Sequence, residues 1–380
     1  MRLPTLRPEQ WESVVFTEHP NHDTIWAITR GHDDHVYIGL CLEGKGGGVA
    51  QVYRYDTRER RLRHLADMGA VTGEPPDSGH ATQGKIHFSL CLARDGKLYG
   101  ATHCTTPPAG HRVWSPLSMW DDPRHSFPGA HIFRYDTHTG EAVDFGVITP
   151  HDGIPYLMLD EQRGRLYGAT YPKAHFFSTN LVGRDLIDYG RISAMYPISM
   201  VFDQTGNLYT SDTASGLIRF DVAQQCLTHL GCWPYAEPWN VQRRCSWVTD
   251  MCLGPDGLIY GVTYSNDHLF RFDPRQETPV VEDLGPGLEG LPGASLRCLV
   301  ADQQGHIYYT FQARQNSQEG NVLVRYHVKS GRKEAVGALV LGGERYFPWR
   351  AVCDSAGTLY FACIHRVPVN ILVYRPQQGV

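Results

Sequence analysis

The sequence predicts an all-β fold, a seven-bladed β-propeller with four antiparallel strands in each blade. Three observations predict it: a turn and a tyrosine-containing strand recur seven times, an alternating strand follows most copies, and helix signals are nearly absent. Glycine (39 residues) and tyrosine (20 residues) are abundant, as short strands joined by tight turns require. At 42% hydrophobic residues, the 380-residue chain can bury a large core.

The first repeated element is a turn followed directly by a strand. Leu-Tyr or Ile-Tyr follows the turn in most copies, and the turn glycine supplies the backbone freedom that a tight hairpin needs. The seven copies are DDHVYIGLC (from Asp33), DGKLYGATH (Asp95), RGRLYGATY (Arg163), TGNLYTSDT (Thr205), DGLIYGVTY (Asp256), QGHIYYTFQ (Gln304) and AGTLYFACI (Ala356).

The second repeated element alternates apolar and polar residues, as a half-buried strand does. A turn such as DTHTGE, from Asp136, then leads into a short fourth strand, DFGVI, from Asp144. Four strands at a period of about 40–60 residues match one propeller blade. The copies of this element are QVYRYD (from Gln51), HIFRYD (His131), GLIRFD (Gly216), HLFRFD (His268), VLVRYH (Val322) and ILVYRP (Ile371).

Domain organisation follows from the repeat, which covers nearly the whole chain without a linker. We expect one domain over residues 1–380, closed by an N-terminal strand near Phe16 or Thr24 that completes the last blade and protects its edge. Blade two contains extra length over about residues 104–129. That segment is rich in Pro, His and Trp and predicts an insertion loop over one face.

Charge and hydropathy argue against several classes of partner. A net charge of −5 with scattered basic residues gives no electrostatic footprint for nucleic acid. No apolar run approaches the roughly 18 residues of a membrane helix, and the N-terminus lacks the apolar segment of a signal peptide. We therefore expect a cytoplasmic protein with buried, reduced thiols. Several of the ten cysteines lie in predicted strands, namely Cys91, Cys252, Cys298 and Cys353.

The repeat also predicts which side chains meet at one mouth of the central channel. The start of each blade's first strand and the end of its second strand lie at the same rim. In blade two these slots hold His87 and His103, and in blade three Tyr156 and Tyr171, with Lys173 just beyond. The later blades contribute Tyr196 and Thr213, Trp247 and Tyr264, Arg297 and Gln312, and then Trp349 or Arg350 with His365.

These residue types favour proton transfer on a carbohydrate acid. Histidine acts as a base near neutral pH, tyrosine can protonate a leaving oxygen, and arginine can grip a carboxylate. Trp247 and Trp349 offer flat faces for sugar rings. Together they suit β-elimination from a uronic acid, in which neutralising the carboxylate lets the C5 proton leave. A purely structural role remains open, with aromatic rings plugging the channel and histidines bonding to loops.

One stretch resembles a known group. Gln83-Gly84-Lys85-Ile86-His87, then Asp95-Gly96-Lys97-Leu98-Tyr99 and Thr102-His103, resemble the seven-bladed propeller polysaccharide lyases, such as the ulvan lyases and rhamnose–glucuronate lyases. The resemblance implies cleavage beside glucuronate or iduronate by channel-mouth histidines, a tyrosine and an arginine. His87 and His103 match the family motif, and Tyr156 or Tyr171 corresponds to its tyrosine by blade position. Lys173 stands where its arginine is expected, so Arg244, Arg297 and Arg350 remain candidates.

The functional prediction is a carbon–oxygen lyase that cleaves a uronate-containing oligosaccharide by β-elimination at the channel mouth. It requires no cofactor, although a structural or charge-neutralising divalent metal stays open. The alternatives are a cyclase or isomerase acting on a small metabolite, and a non-catalytic propeller that binds a ligand or protein. The predicted catalytic residues are His87, His103, Tyr156 and Tyr171, and the predicted substrate-binding residues are Lys173, Tyr196, Trp247, Tyr264, Arg297, Trp349 and Arg350.

Overall fold

The structure, a computed structural model, forms a seven-bladed β-propeller with four antiparallel strands in each blade, as the sequence predicts. Helix within the described part is limited to a 3₁₀ turn at Pro8–Gln10 and one α-helix, α1 (Met68–Thr72). Neither is long enough to cross a membrane. The described residues are 8–44, 46–75, 78–104, 108, 110, 124–234, 248–264, 267–291, 293–315 and 318–376.

The strands group into two compact units. The first unit comprises Val14–Tyr196 with Ala362–Ile371, and the second comprises Met1–Ser13, Pro197–Phe361 and Leu372–Val380. The expectation of a single domain over residues 1–380 stays a prediction.

The first three blades belong to the first unit. Blade one is β2 (Thr24–Arg30), β3 (Val36–Cys41), β4 (Gln51–Asp56) and β5 (Arg61–Asp67). Blade two is β6 (Leu90–Leu92), β7 (Lys97–Ala101), β8 (Gly129–Asp136) and β9 (Ala142–Pro150). Blade three is β10 (Gly153–Asp160), β11 (Arg165–Tyr171), β12 (His175–Asn180) and β13 (Ile187–Arg191).

The next three blades belong to the second unit. Blade four is β14 (Val201–Phe202), β15 (Leu208–Ser211), β16 (Leu217–Asp221) and β17 (Cys226–His229). Blade five is β18 (Val248–Leu253), β19 (Ile259–Thr263), β20 (His268–Phe272) and β21 (Glu282–Pro286). Blade six is β22 (Gly293–Ala301), β23 (His306–Gln315), β24 (Gln318–His327) and β25 (Lys333–Ala338), followed by a hairpin of β26 (Val340–Leu341) and β27 (Glu344–Arg345).

Blade seven is closed by the first strand of the chain. Its order is β1 (Trp11–Val15), β30 (Asn370–Tyr374), β29 (Leu359–Cys363) and β28 (Pro348–Cys353). The centroid of the buried Trp11 ring lies 4.7 Å from that of Tyr374, so Trp11 packs the closing strand against β30. The predicted closure near Phe16 is confirmed, whereas Thr24 opens blade one instead.

The predicted turn–strand repeat forms the second strand of every blade. Six of the seven turns contain a glycine in the left-handed region, and blade one uses Asp34 at φ 63° instead. The six glycines are Gly96, Gly164, Gly206, Gly257, Gly305 and Gly357, with φ from 62° to 92°.

A second glycine in the repeat, inside the strand, makes room for a phenylalanine on the next strand. A Cβ on Gly100 would lie 2.3 Å from the Phe133 ring, and one on Gly261 would lie 2.2 Å from the Phe270 ring. Both are cross-strand neighbours, and both phenylalanines are fully buried. The glycine after Leu-Tyr or Ile-Tyr is therefore a packing requirement of the blade core.

Blades two, three and five repeat a histidine–aspartate pair between their third and fourth strands. The pairs are His131–Asp144 at 2.9 Å, His175–Asp188 at 2.7 Å and His268–Asp283 at 2.9 Å. Each carboxylate also accepts the N–H of a glycine two residues further on, at 2.8 Å. Because the arrangement recurs from blade to blade, we assign these three histidines a structural role.

The described cysteines are free thiols, nine in number. The four that the sequence places in strands lie in β6, β18, β22 and β28. Burial raises the pKa of the Cys91 thiol to about 12, so it stays protonated at neutral pH.

Candidate functional site

In the first unit, four predicted site residues contact one another: His87, His103, Tyr171 and Tyr196, here called the histidine–tyrosine cluster. The ring centroids of the two histidines are 5.6 Å apart. Tyr171 lies 5.2 Å from His103 and 5.0 Å from Tyr196. Tyr196 in turn lies 5.9 Å from His87 and 6.2 Å from His103. Two imidazoles and two phenols therefore share one contact group.

Two segments outside the regular strands carry the histidines. The sequence predicts that the first strand of blade two starts at Lys85, but β6 begins only at Leu90 and β7 ends at Ala101. An isolated antiparallel bridge joins Lys85 to His103, whose N–H donates to the Lys85 carbonyl at 2.8 Å. This bridge holds both segments together beyond the hairpin and brings the histidines side by side.

His103 is buried, with 1% of its surface exposed. Its Nδ1 atom has no hydrogen-bond partner among the described residues. Burial, reinforced by the nearby Lys85 charge, lowers the pKa of His103 well below its usual value. The ring is therefore neutral at physiological pH.

His87 is 3% exposed and is held in one tautomer by the backbone. Its Nδ1 lies 3.1 Å from the Pro155 carbonyl oxygen, which can only accept a hydrogen bond. The ring therefore donates from Nδ1, and in its neutral form the lone pair is on Nε2. The indole of Trp26 stacks on the ring at 4.9 Å and 27°, which fixes the plane of the imidazole.

Glu43 and Trp26, which were not among the predicted site residues, support His87. The Glu43 carboxylate accepts the Trp26 Nε1–H at 2.8 Å and pairs with the Lys85 ammonium at 2.6 Å. The ammonium also lies 4.6 Å from the Trp26 ring centroid. Burial opposes ionisation of Glu43, but the Lys85 charge and these hydrogen bonds together hold its pKa below the usual value. No motif marks either residue, because their role depends on contacts between blades one and two.

The tyrosines differ in their placement. Burial raises the pKa of both Tyr171 and Tyr196, so both phenols are protonated and can donate at neutral pH. Tyr156, the alternative to Tyr171 in the sequence analysis, packs instead against Phe88 at 5.5 Å. The geometry favours Tyr171 as the blade-three tyrosine of the cluster.

Lys173 occupies a different part of the first unit. Its ammonium pairs with the buried Asp152 carboxylate at 3.2 Å. Together with Thr170 and His175 it lines a cavity of about 260 Å³, and no residue of the histidine–tyrosine cluster lines that cavity. The predicted substrate-binding role of Lys173 beside the histidines therefore gains no support.

In the second unit, Arg350 is engaged by the protein itself. One guanidinium nitrogen pairs with the Asp250 carboxylate and another donates to the Ile198 carbonyl. Asp250 also accepts the Leu299 N–H at 2.9 Å. Because Arg350 is only 8% exposed, we assign it a structural role rather than the predicted substrate-binding one.

Three other predicted binding residues of the second unit lie together. The Arg297 guanidinium carbon is 3.7 Å from the Trp349 ring centroid and 5.1 Å from that of Tyr264. Trp247 and Arg244 lie outside the described residues, as does most of the predicted insertion over 104–129. Among the residues that the structure describes, no three His, Cys, Asp or Glu side chains are grouped to hold a metal ion.

Comparisons by sequence find no matching family model and no matching curated protein. Comparison of the structure finds many propellers. Virginiamycin B lyase from Staphylococcus aureus matches with a TM-score of 0.64 at 11% identity, over 96% of this chain and 99% of that one. A streptogramin B lyase matches with a TM-score of 0.64 at 13% identity, over 96% and 97% of the two chains.

A third match, YCF48 bound to D1 peptide, has a TM-score of 0.63 at 10% identity over 99% of this chain and 100% of that one. At such identities the likeness shows a shared fold and nothing about activity. The comparisons therefore confirm the propeller part of the sequence resemblance. The polysaccharide-lyase part remains a proposal.

Proposed function

We propose that the chain is a carbon–oxygen lyase that works by base-initiated elimination at the histidine–tyrosine cluster. The observation that carries the proposal is the contact of two imidazoles, 5.6 Å apart, with two protonated phenols. Elimination needs a base for the carbon-bound proton and an acid for the leaving oxygen, and this cluster contains both kinds of group.

The substrate class that these groups suit is a uronate-containing oligosaccharide. His87 Nε2 takes the C5 proton, the C4–O bond breaks, and the freed electron pair of C5 forms a C4=C5 double bond. The leaving oxygen takes a proton from the hydroxyl of Tyr171 or Tyr196. Because His103 is neutral, it adds no second positive charge beside the His87 imidazolium that forms.

Three of the matched structures are named lyases, so a propeller of this fold can host lyase chemistry, although the likeness itself shows only the fold. One of them is a virginiamycin B lyase with quinupristin. Quinupristin therefore belongs in a substrate panel for this protein.

A second candidate keeps the cluster but changes the substrate. Because His87 and His103 are 3% and 1% exposed, a small molecule reaches them more easily than a polymer does. A cyclase or isomerase acting on a small metabolite would use the same base and acid.

The test is an absorbance assay for unsaturated uronate on glucuronate-containing oligosaccharides, with quinupristin cleavage followed by mass spectrometry. His87→Gln and Tyr171→Phe should each lower kcat about 10²–10⁴-fold. His138→Gln, at an exposed turn of blade two, is the matched control and should leave kcat unchanged. Turnover that survives both cluster variants would refute the proposal, and absence of any product would leave the binding propeller as the better account.

A further inference from the structure

Within the described part of the second unit, the cation of Arg297 has no counter-charge. Arg297 in β22 is half-buried, and no described carboxylate forms an ion pair with it. Its Nε atom is buried and has no hydrogen-bond partner among the described residues. Burial lowers the pKa of Arg297, although the nearby Tyr264 favours the charged form. A partly desolvated guanidinium in this state would gain from an anion.

Arg350, in the same unit, is an arginine whose charge is neutralised within the protein. Arg350 is paired with Asp250, whose other oxygen accepts the Leu299 N–H. Both oxygens of Asp250 are therefore in use. No carboxylate among the described residues neutralises Arg297 in the same way, so an anion from outside the chain could pair with it.

Two aromatic rings contact the Arg297 guanidinium. Its carbon lies 3.7 Å from the Trp349 ring centroid and 5.1 Å from that of Tyr264, as in cation–π pairs. A guanidinium has five N–H donors, and contact with the Trp349 ring does not consume them. Tyr264 is 41% exposed, so solvent reaches this group of side chains.

We propose that Arg297, Trp349 and Tyr264 form a binding site for an organic carboxylate on a ring-bearing molecule. The guanidinium edge pairs with both carboxylate oxygens, a geometry that arginine provides and lysine does not. The aromatic side chains contact the ring of the ligand. The site is independent of the proposed lyase activity, since it is tested by binding alone.

The experiment titrates the full chain with benzoate, glucuronate, acetate and inorganic phosphate, and follows the Arg297 Nε–H signal by NMR of ¹⁵N-arginine-labelled protein. Calorimetry gives the matching dissociation constants. We expect saturable binding of benzoate or glucuronate, at least tenfold tighter than binding of acetate or phosphate. Arg297→Gln should lose this binding at least tenfold, and Arg297→Lys should lose most of it because the fork of donors is gone.

The matched control is Arg275→Gln, which removes an exposed arginine that pairs with Asp273 at 2.7 Å in blade five. It should bind as the wild type does. Arg297→Gln should melt at the same temperature as the wild type or higher, because it removes an unpaired charge. Unchanged carboxylate binding by Arg297→Gln, or phosphate binding as tight as that of benzoate, would overturn the proposal. So would no binding of either ring acid.

Discussion

Gly153 lies against the His103 ring so closely that a Cβ at this position would be 2.0 Å from Nδ1. The first strand of blade three thus sets how far the blade-two histidine can extend. The adjacent Ile154 N–H donates to the Thr102 carbonyl at 3.1 Å, which fixes the two backbones relative to each other. The position of His103 is therefore determined by a residue that carries no side chain.

Gly153→Ala should move His103 and destabilise the first unit. Overpacking a close contact typically costs about 1–3 kcal/mol, and the added methyl here meets a ring held on all sides. Chemical denaturation measures the loss. Gly320→Ala is the control, because no atom of the described residues lies within 4 Å of the added Cβ there. Equal stability of the two variants would show that the ring moves aside freely.

Glu43→Gln should destabilise the protein by removing the counter-charge of a buried lysine. Lys85 is 4% exposed, and breaking a buried pair from one side typically costs about 3–5 kcal/mol. The double variant Glu43→Gln with Lys85→Met should recover much of this loss, since no charge is left unpaired. Denaturation of the wild type and these two variants measures both effects. A single variant as stable as the wild type would contradict the buried-pair account.

The fold was predictable from the sequence because the same blade motif recurs seven times along the chain. Most blades contain the turn, the tyrosine-containing strand and the alternating strand, so a weak pattern in one blade can be assigned by comparison with the others. The third strand of blade three, β12, was not predicted because HFFSTN lacks the Arg-Tyr or Arg-Phe pair found in five of the six predicted copies.

The candidate site was predictable only in part. Turn-anchored register placed His87 beside His103, since both follow from hairpin geometry. It could not show that Glu43 pairs with Lys85, because that contact joins side chains 42 positions apart. Nor could it show that Arg350 forms an ion pair with Asp250 whereas Arg297 contacts the Trp349 ring. Both contacts depend on packing between strands of different blades.

Arg350→Met should destabilise the second unit by leaving Asp250 buried without its partner. Burial already raises the pKa of Asp250 to about 6 despite the Arg350 charge. Loss of the guanidinium should cost about 3–5 kcal/mol at neutral pH. Asp250→Asn in the same chain should restore part of the stability. If the single variant unfolds, the double variant alone, compared with the wild type, still reports the compensation.

The protein should lose stability as the pH falls from about 7.5 through 6.5, because two histidines are buried in the neutral form. Burial lowers the pKa of His22, and that of His103 further, whereas in the unfolded chain both titrate near 6.5. Below about pH 6.5 the unfolded chain binds more protons at these two histidines than the folded chain does. The free energy of unfolding therefore decreases as the pH decreases. Each unit of pKa difference amounts to about 1.4 kcal/mol.

Denaturation midpoints between pH 7.5 and 5.5 measure this slope. His22→Gln and His103→Gln should each flatten it by removing one titrating ring, whereas the exposed-turn variant His138→Gln should keep the wild-type slope. Asp250 works in the opposite direction, since its raised pKa makes the folded chain bind a proton below about 6. That contribution is common to all three variants and cancels in their comparison, so a His22→Gln slope equal to the wild-type slope would mean that His22 is not buried neutral.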